Sequence, residues 1–85
     1  MKEFCFTIRD ELGIHARPAG LLVKEIKSLD SAVTITKGDK SVDALRLIAL
    51  MGLGIKQGDT VKVSISGGDE ETSLTRLKSF FENHL

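Results

Sequence analysis

Apolar residues occupy every second position in several short segments of this chain, and that period commits it to a fold built on a β-sheet. Phe4, Phe6 and Ile8 alternate with polar residues, as expected of a strand with one buried face. The same pattern predicts strands at residues 3–9, 33–36 and 61–65. A "KGDK" turn at residues 37–40 predicts a hairpin into one more short strand around Val42.

Helical spacing of apolar residues separates the predicted strands. From Ala16 to Leu29, the apolar face of a predicted helix consists of Ala19, Leu22, Val23, Ile26 and Leu29. The segment from Ala44 to Gly52 predicts a short helix that ends on a glycine, although a strand would also fit it. Acidic residues at 69–71 favour the start of a last helix that runs to the C-terminus. Its apolar positions are Leu74, Leu77 and Phe81.

These elements predict the order β-α-β-β-α-β-α in a single domain that spans residues 1–85. The simplest compact arrangement is an α+β fold, in which one antiparallel sheet carries the helices on one face and leaves the other face in water. A chain of 85 residues has room for a shallow site but not for a deep, enclosed cleft.

The absence of a net charge argues against partners that are attracted by a long-range electrostatic field. Twelve basic residues offset twelve acidic ones, so we expect no binding to nucleic acid and no direct binding to a membrane. Cys5 is the only cysteine, and no cluster of potential ligands has metal-binding spacing, so we expect neither a disulfide nor a metal. No segment resembles a signal peptide or a membrane span of about 20 apolar residues, and a soluble, cytoplasmic protein is therefore expected.

The segment "GIHARPAG" at residues 13–20 holds the one arrangement that points to chemistry. Pro18 has a fixed φ and no N–H group, so it suits the first turn of the predicted helix and places His15 and Arg17 at the helix N-terminus. Unpaired backbone N–H groups and the helix dipole favour an anion of phosphate size at such a terminus. We therefore expect Ala16, Arg17 and Pro18 to form a phosphate-stabilising helix N-terminus.

A neutral imidazole at His15 keeps a lone pair for attack on phosphorus, and the Arg17 guanidinium would help to hold the resulting anion. This predicts a histidine that accepts a phosphoryl group and passes it on. A histidine that only caps the helix is an equally good interpretation of so short a motif. No base, Mg²⁺-binding acid pair or nucleotide-binding loop accompanies it, so we expect neither independent catalysis nor a cofactor.

Four segments, in register over essentially the whole chain, resemble the phosphocarrier protein HPr family. They are "GIHARPAG", "KSV" at 40–42, "LIALMGLGIKQGD" at 47–59 and "VKVSISGGDE" at 61–70. The resemblance implies an open-faced β-sandwich, phosphorylation of His15 on Nδ1 and a phosphate-binding role for Arg17. It also implies a monomer that takes the phosphoryl group from phosphorylated Enzyme I of the phosphoenolpyruvate-dependent sugar phosphotransferase system and passes it to IIA domains of sugar permeases.

The resemblance also implies a surface on the short helix where partner proteins dock. Leu47, Ile48 and Met51 would form an apolar patch there, beside the histidine. Burial of all three side chains in the core is the alternative, because apolar residues of a helix are more often buried than exposed.

Two positions depart from the pattern of the family. Many relatives carry a regulatory serine at the start of the short helix, where this chain has Arg46, preceded by Leu45. Arginine cannot accept that phosphate, so we expect no serine-based switch. Leu12 stands where a small polar residue often lies near the histidine. These departures keep open a second function, in which the domain binds regulatory proteins and does not turn over phosphate.

The sequence gives no reason to assign chemistry to the remaining candidates. His84 is expected in solvent in the last turn of the final helix, where a cationic side chain is favourable. Cys5 is expected to be an ordinary strand residue. Asp69, Glu70 and Glu71 are expected to mark the start of a helix and not a metal site.

Overall fold

A computed structural model describes residues 1–85 and contains four strands and three helices in the predicted order. The strands are β1 (Lys2–Thr7), β2 (Ala32–Lys37), β3 (Lys40–Asp43) and β4 (Thr60–Ser66). The helices are α1 (Ala16–Lys27), α2 (Leu47–Gly52) and α3 (Glu70–His84).

The strands form one antiparallel sheet in the order β1-β4-β2-β3. Strand β4 lies between β1 and β2, so Val63 stands opposite Phe4 on one side and Ile35 on the other. These residues belong to the apolar face that packs into the core with the helices, while Cys5 and Lys62 lie opposite each other on the exposed face. The expected α+β fold, an open-faced β-sandwich, is confirmed.

Aromatic packing ties α3 to the first strand. Phe81 of α3 is fully buried, and its ring meets those of Phe4 and Phe6 edge-on, with centroids 5.7 and 5.4 Å apart. Phe80 makes a further edge contact with Phe81 at 6.2 Å. Since edge-to-face pairs add to the free energy gained by burial, these rings hold the C-terminal helix against β1, whose end leads towards α1.

Helix α2 begins at Leu47, not at Ala44 as the apolar run predicted. The Ala44 amide donates to the carbonyl of Val33 at 3.0 Å and so prolongs the sheet pairing. The Asp43 carboxylate then accepts from the amide of Leu45 at 3.0 Å, in a turn that competes with helix. From Leu47 onwards the segment is helical, so the predicted helix, with its start corrected, is confirmed over the competing strand.

Helix α1 ends at Lys27, before the predicted end at Leu29. Both the amide and the hydroxyl of Ser28 donate to the carbonyl of Glu25, at 3.1 and 2.7 Å. A serine hydroxyl that bonds to a carbonyl one turn back offers the backbone an alternative to continued helix. The start of α3 agrees with its acidic signal, because Asp69 caps that helix by accepting from the amide of Thr72 at 3.1 Å.

A close backbone contact supports the loop that leads into α1. Gly13 has a φ of +66°, and a Cβ atom at this position would clash with the carbonyl oxygen of Ile55. The same oxygen accepts a hydrogen bond from the amide of Ile14 at 3.1 Å. The loop therefore rests on the segment that follows α2, and only glycine permits the contact without strain.

This contact predicts opposite effects for two glycine-to-alanine substitutions. Gly13→Ala should lower the free energy of unfolding by more than about 2 kcal/mol, because it adds both backbone strain and a clash. Gly20→Ala should raise it by about 0.5–1 kcal/mol, because Gly20 is helical and an added Cβ meets nothing within 4 Å. Urea unfolding of both variants measures the difference, and equal effects would contradict the role given to the Gly13 contact.

Candidate functional site

His15 occupies the N-cap position of α1. Its backbone is extended, with φ −108° and ψ −173°, and its carbonyl accepts the first helical hydrogen bond, from Ala19 at 3.0 Å. The imidazole makes no capping hydrogen bond and is partly exposed. The His15 side chain is therefore free for contact with an incoming group, while its backbone is held by the helix.

The first turn of α1 presents backbone donors without an internal acceptor. The amides of Ala16 and Arg17 have no hydrogen-bond acceptor in the chain, and Pro18 follows with no N–H group at all. No acidic side chain lies in this turn to compete for the donors. Because these amides point out of a helix N-terminus, the turn can accept a phosphoryl group on the adjacent imidazole.

Arg17 adds an exposed positive charge to this turn. Its side chain is exposed, and it makes no ion pair or hydrogen bond within the chain. In contrast, Arg9 donates a hydrogen bond to a carbonyl of α3, and Arg76 donates one to the carboxylate of Glu25. The Arg17 guanidinium is therefore available for a bidentate contact with phosphate oxygens.

Of the predicted site residues, His15, Arg17 and Pro18 share a shallow depression of about 360 Å³ with residues that the sequence did not associate with them. It is lined by Asp10, His15, Arg17, Pro18, Leu21 and His84. His84 is exposed, as expected, but it faces the same depression as His15. No local signal could have shown this, because the two histidines lie near opposite ends of the chain and only the packing of α3 brings them together.

Hydrogen bonds hold the end of α3 against the loop before α1. The carbonyl oxygen of Leu85 accepts from the amides of Arg9 and Asp10, at 2.7 and 2.9 Å. The Arg9 guanidinium donates to the carbonyl of Glu82 at 2.7 Å. The last turn of α3 is therefore fixed relative to the loop that carries His15.

The three residues predicted for docking are all exposed on α2. The exposed fractions of these residues are 81% for Ile48 and 37% for both Leu47 and Met51, whereas Leu50 between them is fully buried. Helix α2 packs against α1, which carries the histidine motif at its start. The short helix thus inserts one side chain into the core and leaves an apolar surface, Leu47, Ile48 and Met51, in water.

Arg46 is the N-cap residue of α2 and is exposed beside this surface. The two serines nearest to it in sequence both have hydrogen-bonded hydroxyls. The hydroxyl of Ser31 is bonded to the carbonyl of Gly67 and to the hydroxyl of Ser73, at 2.6 and 2.8 Å. Ser41 bonds to Thr36 across the β2–β3 hairpin at 2.7 Å. The N-cap of α2 therefore places a cationic side chain beside the apolar surface.

Other kinds of site are not supported by the arrangement of side chains. The chain has no group of three or more His, Cys, Asp or Glu residues placed to hold a metal ion. None of the helices combines the length and the apolar character that crossing a bilayer requires. Cys5 is exposed on the open face of the sheet, away from the depression.

Comparison with known proteins agrees with the geometry. The family model described as "PTS HPr component phosphorylation site" matches residues 2–83. Phosphocarrier protein HPr of Mycoplasma pneumoniae is 34% identical over 85 residues, which cover 99% of this chain and 97% of that protein. A crystal structure of HPr from Thermoanaerobacter tengcongensis superimposes with a TM-score of 0.90 at 38% identity and covers 96% of this chain and 92% of that one.

A longer relative contains a similar domain. The Multiphosphoryl transfer protein of Xanthomonas campestris is 32% identical over 82 residues, which cover 96% of this chain and 10% of that protein. Fold, histidine motif and comparisons together define a small phosphocarrier domain. The chain belongs to the HPr family of the phosphotransferase system.

Proposed function

We propose that this protein carries a phosphoryl group on His15, which it accepts from phosphorylated Enzyme I and passes to IIA domains of sugar permeases in the cytoplasm. The observation that carries the proposal is the N-cap position of His15 beside two backbone N–H groups with no internal acceptor. A partly exposed imidazole in a shallow depression can be reached by the active site of another protein. A monomer suffices, because one chain supplies all of these groups.

The transfer step needs one nucleophile from this chain. The lone pair on Nδ1 of His15 attacks phosphorus, the bond between phosphorus and the donor atom of the phosphorylated partner breaks, and its electron pair returns to the donor. The proton of the neutral imidazole stays on Nε2, so the attacking atom does not have to release one. Transfer to the acceptor reverses these roles.

The first turn of α1 stabilises the negative charge of the incoming phosphoryl group. The amides of Ala16 and Arg17 donate to phosphoryl oxygens, and the Arg17 guanidinium contacts them from the open side of the depression. The N-terminal end of the helix dipole acts in the same direction. Partners have to supply specificity and the remaining catalytic groups, because the domain has no cleft that encloses a substrate. The relationship to a segment of a Multiphosphoryl transfer protein supports this role as one carrier in a series of transfers.

Partners dock on the apolar surface of α2, Leu47, Ile48 and Met51, according to this proposal. Its exposure and its position beside α1 support that role. A flexible methionine suits a surface that meets several partners in turn. Since Arg46 cannot be phosphorylated, docking on this surface is not under the serine-based control found in many relatives.

Incorporation of phosphate from phosphoenolpyruvate with catalytic Enzyme I tests the carrier function. The intact mass should increase by one phosphoryl group, which mild acid removes, and peptide mapping should place it on the segment that contains His15. His15→Ala should remain folded by circular dichroism and accept none. Phosphate on a serine or on His84 would contradict the assignment, and no incorporation into the unaltered protein would favour a regulatory binding module.

Substitution at the most exposed docking residue tests the role of α2. Ile48→Ser should raise the KM of this protein as a substrate of Enzyme I about tenfold, which corresponds to about 1.4 kcal/mol of lost contact energy. Ile48→Leu is the matched control and should stay near the original value, because it keeps the apolar surface. In both variants, phospho-His15 should be hydrolysed at the original rate. An unchanged KM in Ile48→Ser would show that partners dock elsewhere.

A further inference from the structure

The depression at His15 lies where the ends of two helices meet. The N-terminus of α1 brings the positive end of its dipole, and the last turn of α3 brings the negative end of another. A phosphorylated His15 would place a dianionic group between them. The negative end of the α3 dipole therefore destabilises the phosphoryl group that α1 stabilises, unless a hydrogen-bond donor lies between α3 and that group.

His84 lies at this end of α3. It belongs to the last turn of α3, lines the depression together with His15 and is an exposed residue. Its imidazole forms no hydrogen bond or ion pair within the chain, so an N–H group of the ring is available to a ligand. The other charged groups around the depression are Asp10, on the loop before α1, and Arg17.

Packing restricts where the His84 ring can go. It lies on the ring of Phe80, with centroids 4.5 Å apart and planes inclined by 34°, and Phe80 is itself buried. The backbone beneath is fixed, because the carbonyl oxygen of the next residue, Leu85, holds the amides of Arg9 and Asp10. The imidazole is thus a partly oriented group and not a freely rotating surface side chain.

We infer that His84 is a second phosphate-binding residue of this domain, whose imidazole donates a hydrogen bond to a phosphoryl oxygen on phospho-His15. The inference rests on the proposed carrier function. It makes α3 a contributor to the site: α1 supplies the nucleophile, two amides and Arg17, and α3 supplies an imidazole donor from the opposite side. His84 takes part in no covalent step, and its effect is to stabilise the phosphorylated form relative to the free one.

The equilibrium between this protein and phosphorylated Enzyme I measures that stabilisation. His84→Ala should shift the transfer equilibrium away from phospho-His15 by about tenfold or more, as expected for loss of a hydrogen bond to a charged group. His84→Gln keeps an N–H donor and should recover most of the loss. Asn83→Ala is the matched control, because Asn83 is the neighbouring exposed residue but does not line this depression, and it should leave the equilibrium unchanged. An equilibrium within twofold of the original in His84→Ala would overturn the inference.

Side-chain NMR separates this inference from the carrier function. Phosphorylation of His15 should shift the imidazole resonances of His84, and unchanged resonances would overturn the direct contact. If the protein takes up no phosphate from Enzyme I, the carrier function fails, and titration with inorganic phosphate then tests the site alone. Saturable shifts of both imidazoles would support a two-histidine phosphate site, and a response of His15 without one of His84 would overturn it.

Discussion

The contact of Gly13 and Ile14 with the carbonyl oxygen of Ile55 is the constraint on which the site depends. It fixes the loop that enters α1, so His15 stands immediately before a helix whose leading amides are unpaired. In a second contact, the amides of Arg9 and Asp10 donate to the Leu85 carbonyl and tie the same loop to the end of α3. The surface loop that carries His15 is thereby held by backbone hydrogen bonds at two places.

The two contacts also explain how a chain of 85 residues can bring helix ends together at a shallow surface site without a deep cleft. The partial charges at helix ends supply much of the electric field at the site, so the fold only has to bring those ends to one place on the surface. The core consists of packed apolar side chains, among which Phe81 joins α3 to β1 and Leu50 joins α2 to the rest. Because the site is shallow, Leu47, Ile48 and Met51 can remain at the surface close to the helix that carries His15.

Local patterns were enough to predict most of this fold and three of the six residues that line the depression. Alternating apolar residues identified the strands, and Pro18 located the start of α1 and hence His15 and Arg17. The start of α2 was missed because the amide of Leu45 donates to the Asp43 carboxylate, and this turn overrides the apolar run. The place of His84 beside His15 was missed for a different reason: it depends on long-range contacts of α3, and helical spacing alone says nothing about what the end of a helix will meet.

Backbone amide NMR before and after phosphorylation would test most directly whether the N-terminus of α1 holds the phosphoryl group. With catalytic Enzyme I and phosphoenolpyruvate, the largest shifts of amide resonances are expected at Ala16 and Arg17, together with a shift of the Arg17 guanidinium resonance. The amides of Glu70 and Glu71, in the first turn of α3, serve as an internal reference and should stay in place. Phosphorylation that leaves Ala16 and Arg17 unshifted would contradict the site described for this protein.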